Sequence, residues 1–201
     1  ILVQNHCYRA DEMANMIELS KEFDYKITAF HHAVEAYKIA DLLADEGICG
    51  ALWADWWGFK HEAYDMVPAN IAIVDQARSG KGCAIVHSDD EVGIQHLNQE
   101  AAKALSAGLR AGYEISKARA IKWITSNPAK AAGILDQTGT IEIGKDADLV
   151  IWSKNPFSVY ALAEYVFIDG AEAFVRGQKQ TQPVTDFDLG IINPSDERAS
   201  L

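Results

Sequence analysis

A short apolar run that ends abruptly in a polar cluster constrains the fold of this chain more than any other stretch. Ala84, Ile85 and Val86 are followed directly by His87-Ser88-Asp89-Asp90. Because every position of the run is apolar, it predicts a strand buried on both faces, as in a parallel sheet. The polar cluster then lies at the carboxyl end of that strand, where α/β barrels and doubly wound sheets place their chemistry.

Two earlier stretches of the chain repeat this pattern. Residues 1–6 end at His6, and residues 27–32 end at His31-His32. The carboxyl ends of parallel strands meet at one edge of a sheet, so three strands that each end in histidine or aspartate predict a metal site there. A single strand of this kind would not support that interpretation.

Strands and helices alternate through the first part of the chain. Apolar runs predict strands over 1–6, 26–31, 48–53 and 83–87. Apolar residues at helical spacing predict helices over 10–23, 33–46, 70–78, 94–111 and 114–125, with a last short helix after Ser126-Asn127-Pro128. Four successive strand–helix units predict a parallel sheet, and four units are half of a (β/α)8 barrel.

The texture of the sequence changes near residue 135. Short strands and turns predict a small β segment over 135–180, in which Asp169-Gly170 favours a type I′ hairpin turn. Residues 181–201 are polar with two prolines and are expected to form an arm or a disordered end. The predicted organisation is therefore an α/β region over 1–134, the β segment and the tail.

Composition excludes several classes of function. A formal net charge of −11 argues against nucleic acid and anionic membrane surfaces as partners. No apolar run approaches the roughly 20 residues that span a bilayer. Cys7, Cys49 and Cys83 are scattered without CxxC spacing, which indicates neither a disulfide framework nor a structural zinc site. Any targeting segment would precede Ile1, which leaves the compartment of a soluble protein open between cytoplasm, periplasm and secretion.

Together these motifs resemble the amidohydrolase superfamily, nearest to its imidazolonepropionase-like and metal-dependent carboxypeptidase or prolidase branch. The resemblance rests on the strand ends at His6, His31-His32 and Ser88-Asp89, on residues 125–131, and on residues 139–150, which look like the family's return from barrel to β-sandwich. It implies the C-terminal half of a (β/α)8 TIM-like barrel followed by a small β-sandwich segment. The family's first barrel strand with its His-x-His pair, and the fourth strand with a carboxylated lysine or a glutamate, have no counterpart in residues 1–201.

Carried over residue by residue, the resemblance implies that His6, His32 and Asp89 are metal ligands and that Asp89 is also the catalytic base. Neutral imidazoles suit zinc, the expected metal, with one or two ions bound. The metal would lower the pKa of a water molecule, and a neighbouring carboxylate could take its proton. His31 competes with His32, because strand parity puts the two on opposite faces and only one can point inward.

Each of these residues also has a plain structural interpretation. A histidine at a strand end is often a polar cap or a satisfied core residue, and Asp89 could be a helix N-cap, although Ser88 and Asp90 could cap equally well. Substrate-binding candidates are Tyr8, Arg9, Trp53, His61 and His87. Arg9 could hold a substrate carboxylate or pair with Asp11 or Glu12. His87 could contact the substrate or merely form a hydrogen bond to a metal ligand. The tryptophans could wall a substrate or pack a loop, and His96 is expected on the surface.

Three functions from different classes follow from the sequence. The first is a metal-dependent hydrolase of C–N bonds in amides, cyclic amides or dipeptides, which needs a partner N-terminal half of the barrel. The second is a non-catalytic half-barrel module, whose unpaired strand edges could pair with a second copy to form a homo-oligomer. The third, an isomerase or phosphate-handling enzyme on another barrel, is disfavoured because no glycine-rich phosphate loop follows the last strands.

Overall fold

Four parallel strands form the larger of two sheets in the structure, a computed structural model that describes residues 1–178. The strands lie side by side in chain order: β1 Leu2–Cys7, β2 Lys26–His32, β3 Cys49–Leu52 and β4 Cys83–Val86. All four predicted strands are confirmed close to their expected bounds. The mixed α/β class expected from the alternation is confirmed with them.

The carboxyl ends of the four strands are level with one another. His6 of β1 lies opposite His31 of β2, and Cys7 lies opposite His32. Leu52, the last residue of β3, is opposite both His32 and Val86. This register places the residues that follow each strand at one edge of the sheet, as the sequence predicts.

Helices follow the strands as the alternation predicts, with several interruptions. The α-helices are α1 Ala10–Glu22, α2 Ala40–Glu46, α3 Asn70–Gly80, α4 Leu97–Arg110, α5 Lys117–Ala120 and α6 Ser126–Ala132. Short 3₁₀ turns cover Ala36–Lys38, His61–Ala63, Gly93–His96 and Ile121–Ile124. No helix within residues 1–178 has the length and apolar character needed to cross a membrane.

Two of the helix predictions are wrong in extent. The helix expected over 33–46 begins only at Ala40, because Ala33 has a left-handed φ of 40° and the next turn is 3₁₀. The helix expected over 114–125 is divided into α5 and a 3₁₀ turn. Its start is fixed by Ser116, whose side-chain oxygen accepts the backbone N–H of Arg119.

A buried ion pair fastens α3 to the segment around α5. Asp75 is fully buried, and its carboxylate accepts hydrogen bonds from Nε of Arg119 at 2.9 Å and from Nε1 of Trp123 at 2.8 Å. Arg119 also donates to the backbone carbonyl of Gly80 at 2.7 Å. The charge of Asp75 is thus fully compensated inside the layer of helices that covers the sheet.

The expectation of unlinked cysteines is wrong for two of the three. Cys49 and Cys83 form a disulfide, while Cys7 is free and buried. The two bonded residues are directly opposite each other in the β3–β4 register. Pairing of this kind depends on strand register, which the spacing of cysteines along the chain does not reveal.

The second sheet has three antiparallel strands: β5 Leu149–Trp152, β6 Ala163–Ile168 and β7 Ala171–Val175. Asp169 and Gly170 join β6 to β7, and their φ values of 51° and 77° confirm the type I′ turn. Residues 140–143 form no strand. Within the described part of the chain the β segment is one sheet, and the predicted tail over 181–201 lies outside the described residues.

Candidate active site

Four imidazole rings meet at the carboxyl ends of β1, β2 and β4. The ring centroid of His6 lies 4.8 Å from that of His31 and 4.8 Å from that of His32. His87, which directly follows β4, has its ring centroid 5.4 Å from that of His32. The structure therefore brings together the histidines from all three predicted strand ends.

The expectation that His31 and His32 point to opposite faces is wrong. Both rings lie beside His6, and both lie within 6 Å of His87, at 5.7 Å for His31 and 5.4 Å for His32. Strict alternation holds only for extended backbone. His32 has a φ of 66°, so the chain turns at this residue and adjacent side chains share one side.

His32 is the least exposed of the four clustered histidines. Its residue is 4% exposed, and its Nε2 is 2.8 Å from Nδ1 of His6. Its other nitrogen, Nδ1, is buried without a hydrogen-bond partner and lies 3.8 Å from Oδ2 of Asp89. An orphaned imidazole nitrogen that faces a carboxylate indicates a position where a cation or a proton donor would be held.

Burial keeps these imidazoles neutral. Desolvation lowers the pKa of His32 to about 4, against an opposing effect of the Asp89 carboxylate. Desolvation and the neighbouring imidazoles lower the pKa of His87 to about 3, and burial also lowers the pKa of His31. Near neutral pH these rings therefore carry free lone pairs, which is the form that binds metals.

The side chain of Asp89 can face the site because Asp90, and not Asp89, caps the 3₁₀ turn that follows. The carboxylate of Asp90 accepts the backbone N–H of Gly93, where the 3₁₀ turn begins. Asp89 has a left-handed φ of 56°, and its side chain is 54% exposed. The carboxylate is therefore accessible to a bound substrate or water molecule.

A pocket of about 550 Å³ opens beside the cluster. Its wall is largely aromatic, formed by Tyr8, Trp53, Trp56, Trp57 and Phe59. Its polar lining consists of Asp55, Lys60, Ser88 and Asp89. Asp89 thus borders both the histidines and a cavity large enough for a small organic molecule.

Trp53 connects the cluster to the pocket. Its indole lies nearly parallel to the ring of His87, with centroids 5.3 Å apart, and its Nε1 donates to the carbonyl oxygen of Ser88 at 3.0 Å. The indole is 5% exposed. Its packing fixes the position of His87 and of the backbone just before Asp89.

Tyr8 and Lys60 form the side of the pocket next to His32. The ring of Tyr8 stacks on that of His32 with centroids 4.8 Å apart, and Lys60 donates a hydrogen bond to its hydroxyl. Lys60 was not among the residues singled out from the sequence. Its only signal there was its place in the aromatic loop 53–64.

The remaining predicted residues lie away from the pocket lining. Both oxygens of Asp11 accept hydrogen bonds from Arg9, which is the structural alternative considered for that arginine. His61 lies exposed in a 3₁₀ turn, and His96 is exposed as expected. His87 contacts Trp53 and the other histidines but does not line the pocket.

The described residues supply metal-binding groups without a complete site. Within residues 1–178 no group of three or more histidine, cysteine, aspartate or glutamate side chains is arranged closely enough to hold a metal ion. The donor types nevertheless fit a divalent cation, since imidazole nitrogens and one accessible carboxylate face one another. His6, His32 and Asp89 could therefore contribute ligands to a site that other groups complete.

The chain resembles amidohydrolases and, over a short stretch, imidazolonepropionases. The model of the amidohydrolase family matches residues 70–184. The amidohydrolase tasK of Hapsidospora irregularis is 33% identical over 200 residues, which is 92% of this chain and 19% of that protein. The imidazolonepropionase of Brucella suis is 55% identical over 40 residues, which is 20% of this chain and 10% of that protein.

A solved structure shows the same relation between part and whole. The crystal structure of an amidohydrolase from Thermotoga maritima superposes with a TM-score of 0.76 at 32% sequence identity. The superposition covers 88% of this chain and 44% of that protein. The matches to tasK and to this structure cover most of this chain. The chain nevertheless spans less than half the length of either protein.

Proposed function

The chain belongs to the amidohydrolase family, and we propose that it carries part of the active site of a metal-dependent hydrolase that cleaves C–N bonds in amides, cyclic amides or dipeptides. One observation carries the proposal. The orphaned, buried Nδ1 of His32 faces the carboxylate of Asp89 at 3.8 Å, beside His6 and at the mouth of an aromatic pocket.

A divalent metal fits the donors that meet at this point. Enzymes of this family generally depend on a metal ion. His6, His32 and Asp89 would hold it, and zinc is the proposed identity because imidazole nitrogens and a carboxylate are ligands that zinc favours. When bound, the metal would lower the pKa of a water molecule and polarise the scissile carbonyl.

The protein's own residues supply the proton transfers and the orientation. Asp89 takes the proton of the attacking water and later delivers it to the leaving nitrogen, as an accessible carboxylate next to the pocket can. His87 stacks on Trp53 and lies beside His32, whose ring also contacts the indole of Trp53 at a centroid distance of 4.6 Å, so these two neighbours hold His32 in place. The aromatic wall orients the apolar part of the substrate and limits access of bulk water.

The site needs residues beyond those described. The strands β1 to β4 run in sequential order, as barrel strands do, and within the described sheet β1 and β4 each have a single neighbour. From Leu2 to His6 the first strand alternates between exposed and partly buried positions and only Cys7 is buried, whereas β3 and β4 are buried throughout. We propose that these four strands are half of a (β/α)8 barrel and that an N-terminal half, in the same chain or a partner, supplies the missing ligands.

The test is an assay of the full-length protein on dipeptides, N-acyl amino acids and cyclic ureas. Replacing Asp89 with Asn preserves size and removes the base, so turnover should fall by about 10²–10⁴-fold. Asp90→Asn is the matched control, since an asparagine still caps Gly93, and it should keep most of the activity.

Metal content must be measured on the same samples, because loss of metal would also abolish turnover. Near-normal turnover of the Asp89→Asn variant at normal metal content would exclude Asp89 as the base. Absence of hydrolysis of every substrate by a fully metal-loaded, full-length protein would favour the non-catalytic module instead.

A further inference from the structure

The pocket has an uneven distribution of charge. Among the described residues that line it, Lys60 is the one cation, and the carboxylates are those of Asp55 and Asp89. Asp55 is already paired with Lys103, whose Nζ lies 2.8 Å from Oδ1. Asp89 faces His32 at the histidine cluster. Among the described residues, neither carboxylate of the lining forms an ion pair with Lys60.

Lys60 is instead held by aromatic groups. Its Nζ lies 4.0 Å from the ring centroid of Tyr8 and 5.5 Å from that of Phe59, and it donates one hydrogen bond to the Tyr8 hydroxyl. Cation–π contacts orient an ammonium group without consuming its donors. An ammonium group has three donors, so two remain for a ligand after the bond to Tyr8.

The surroundings of Lys60 suit a molecule with an apolar part. The side chains of Trp56, Trp57 and Phe59 are 41%, 51% and 59% exposed around the same cavity. Large aromatic side chains exposed together at a concave surface are typical of ligand contact. An ammonium group beside such rings pairs more strongly with an anion than one in open water.

We propose that Lys60 recognises a carboxylate on the substrate, and that the substrate is the amide of an amino acid with an apolar or aromatic side chain. This rests on the proposed function and narrows its range, because a cyclic amide without an acid group would leave Lys60 unpaired. The carboxylate binds Lys60, the apolar side chain contacts the tryptophans, and the scissile amide extends toward Asp89.

Two substrates that differ only in the carboxylate test this assignment. N-acetyl-L-phenylalanine has the acid group, and N-(2-phenylethyl)acetamide is the same molecule without it. In the full-length enzyme, Lys60→Gln should raise the KM for the acid by about 10- to 100-fold, the usual effect of losing a charge-assisted hydrogen bond. The kcat for the acid and both constants for the neutral amide should change little.

Two further variants separate recognition from structure. Lys60→Arg retains the charge and should keep the preference for the acid over the neutral amide. Lys154→Gln is the matched control, because Lys154 also lies over a tyrosine ring, that of Tyr160 at 5.8 Å, outside the pocket. It should behave like the unaltered enzyme. Equal losses on both substrates in Lys60→Gln, or no loss on either, would overturn the assignment.

A binding measurement keeps this test separate from the test of hydrolysis. Calorimetry on metal-stripped protein would compare 3-phenylpropanoate with 3-phenylpropan-1-ol. The unaltered protein should prefer the acid, and Lys60→Gln should lose that preference. If no amide is hydrolysed but this preference is observed, the proposed reaction fails while the role of Lys60 stands. If hydrolysis occurs without the preference, Lys60 is not the recognition group.

Discussion

The two sheets differ in how much of their surface they bury. Every residue of β3 and β4 is buried, and most of β2 is buried with them. In β5, β6 and β7 every residue is exposed or only partly buried. Both sheets are rich in apolar side chains, so composition does not explain the difference.

The difference lies in what covers each sheet. The helices between the parallel strands pack on their sheet, with Met13 and Trp123 fully buried in the shared core. Near the antiparallel sheet, Ile143 and Tyr160 remain widely exposed. The parallel region therefore builds a low-dielectric interior from its own residues, and that interior is what can hold an orphaned imidazole and a buried ion pair.

Removal of an arginine from each region gives the largest expected contrast. Arg119→Ala leaves the fully buried Asp75 without its cation and should lower the free energy of unfolding by about 3–5 kcal/mol. Arg176→Ala breaks a half-exposed pair with Glu164, 3.4 Å apart, and should cost less than about 1 kcal/mol. Urea denaturation of full-length variants would measure both. Similar losses would mean that the two regions do not differ in the way described.

Acid should destabilise the parallel region selectively. All six histidines belong to this region, since the last of them, His96, directly precedes α4. Burial lowers the pKa of His32 to about 4 and that of His87 to about 3, below the ordinary value of 6.5. At a pH between the ordinary value and these lowered pKa values, the unfolded chain binds protons that the folded chain does not. The free energy of unfolding therefore falls as the pH falls below about 6.5.

Each of these two histidines should cost the metal-free protein on the order of 2 kcal/mol between pH 7.5 and pH 5. Thermal unfolding over that range would measure the loss. His87→Phe keeps a flat ring against Trp53 and should flatten the pH dependence, whereas replacing the exposed His96 with Asn should not. An unchanged pH dependence in His87→Phe would contradict the burial assigned to His87.

Much of the parallel region could be predicted because its signals are local. A continuous apolar run that ends in polar residues marks both a buried strand and the place where its chemistry lies, as the stretch from Ala84 to Asp89 illustrates. The turn at Asp169-Gly170 was equally readable, since few residues tolerate two left-handed positions in succession.

What could not be predicted depends on register and on backbone departures from regular geometry. The Cys49–Cys83 disulfide follows from which residues of β3 and β4 lie opposite each other. The shared orientation of His31 and His32 follows from the left-handed φ of His32. No glycine or other turn-forming residue beside His32 indicates that conformation in the sequence. Lys60 reaches Tyr8 only because the loop 53–64 folds back over the site.

Metal content tests the central claim most directly. We predict that the full-length protein carries about one or two divalent ions and that His6→Ala and His32→Ala lose most of that metal, since each ligand comes from a separate strand. His31→Ala is the matched control, because His31 neighbours His32 but pairs with Gln4 at 2.7 Å, and it should retain the metal. Full metal occupancy in the His6→Ala variant would show that His6 is not a metal ligand.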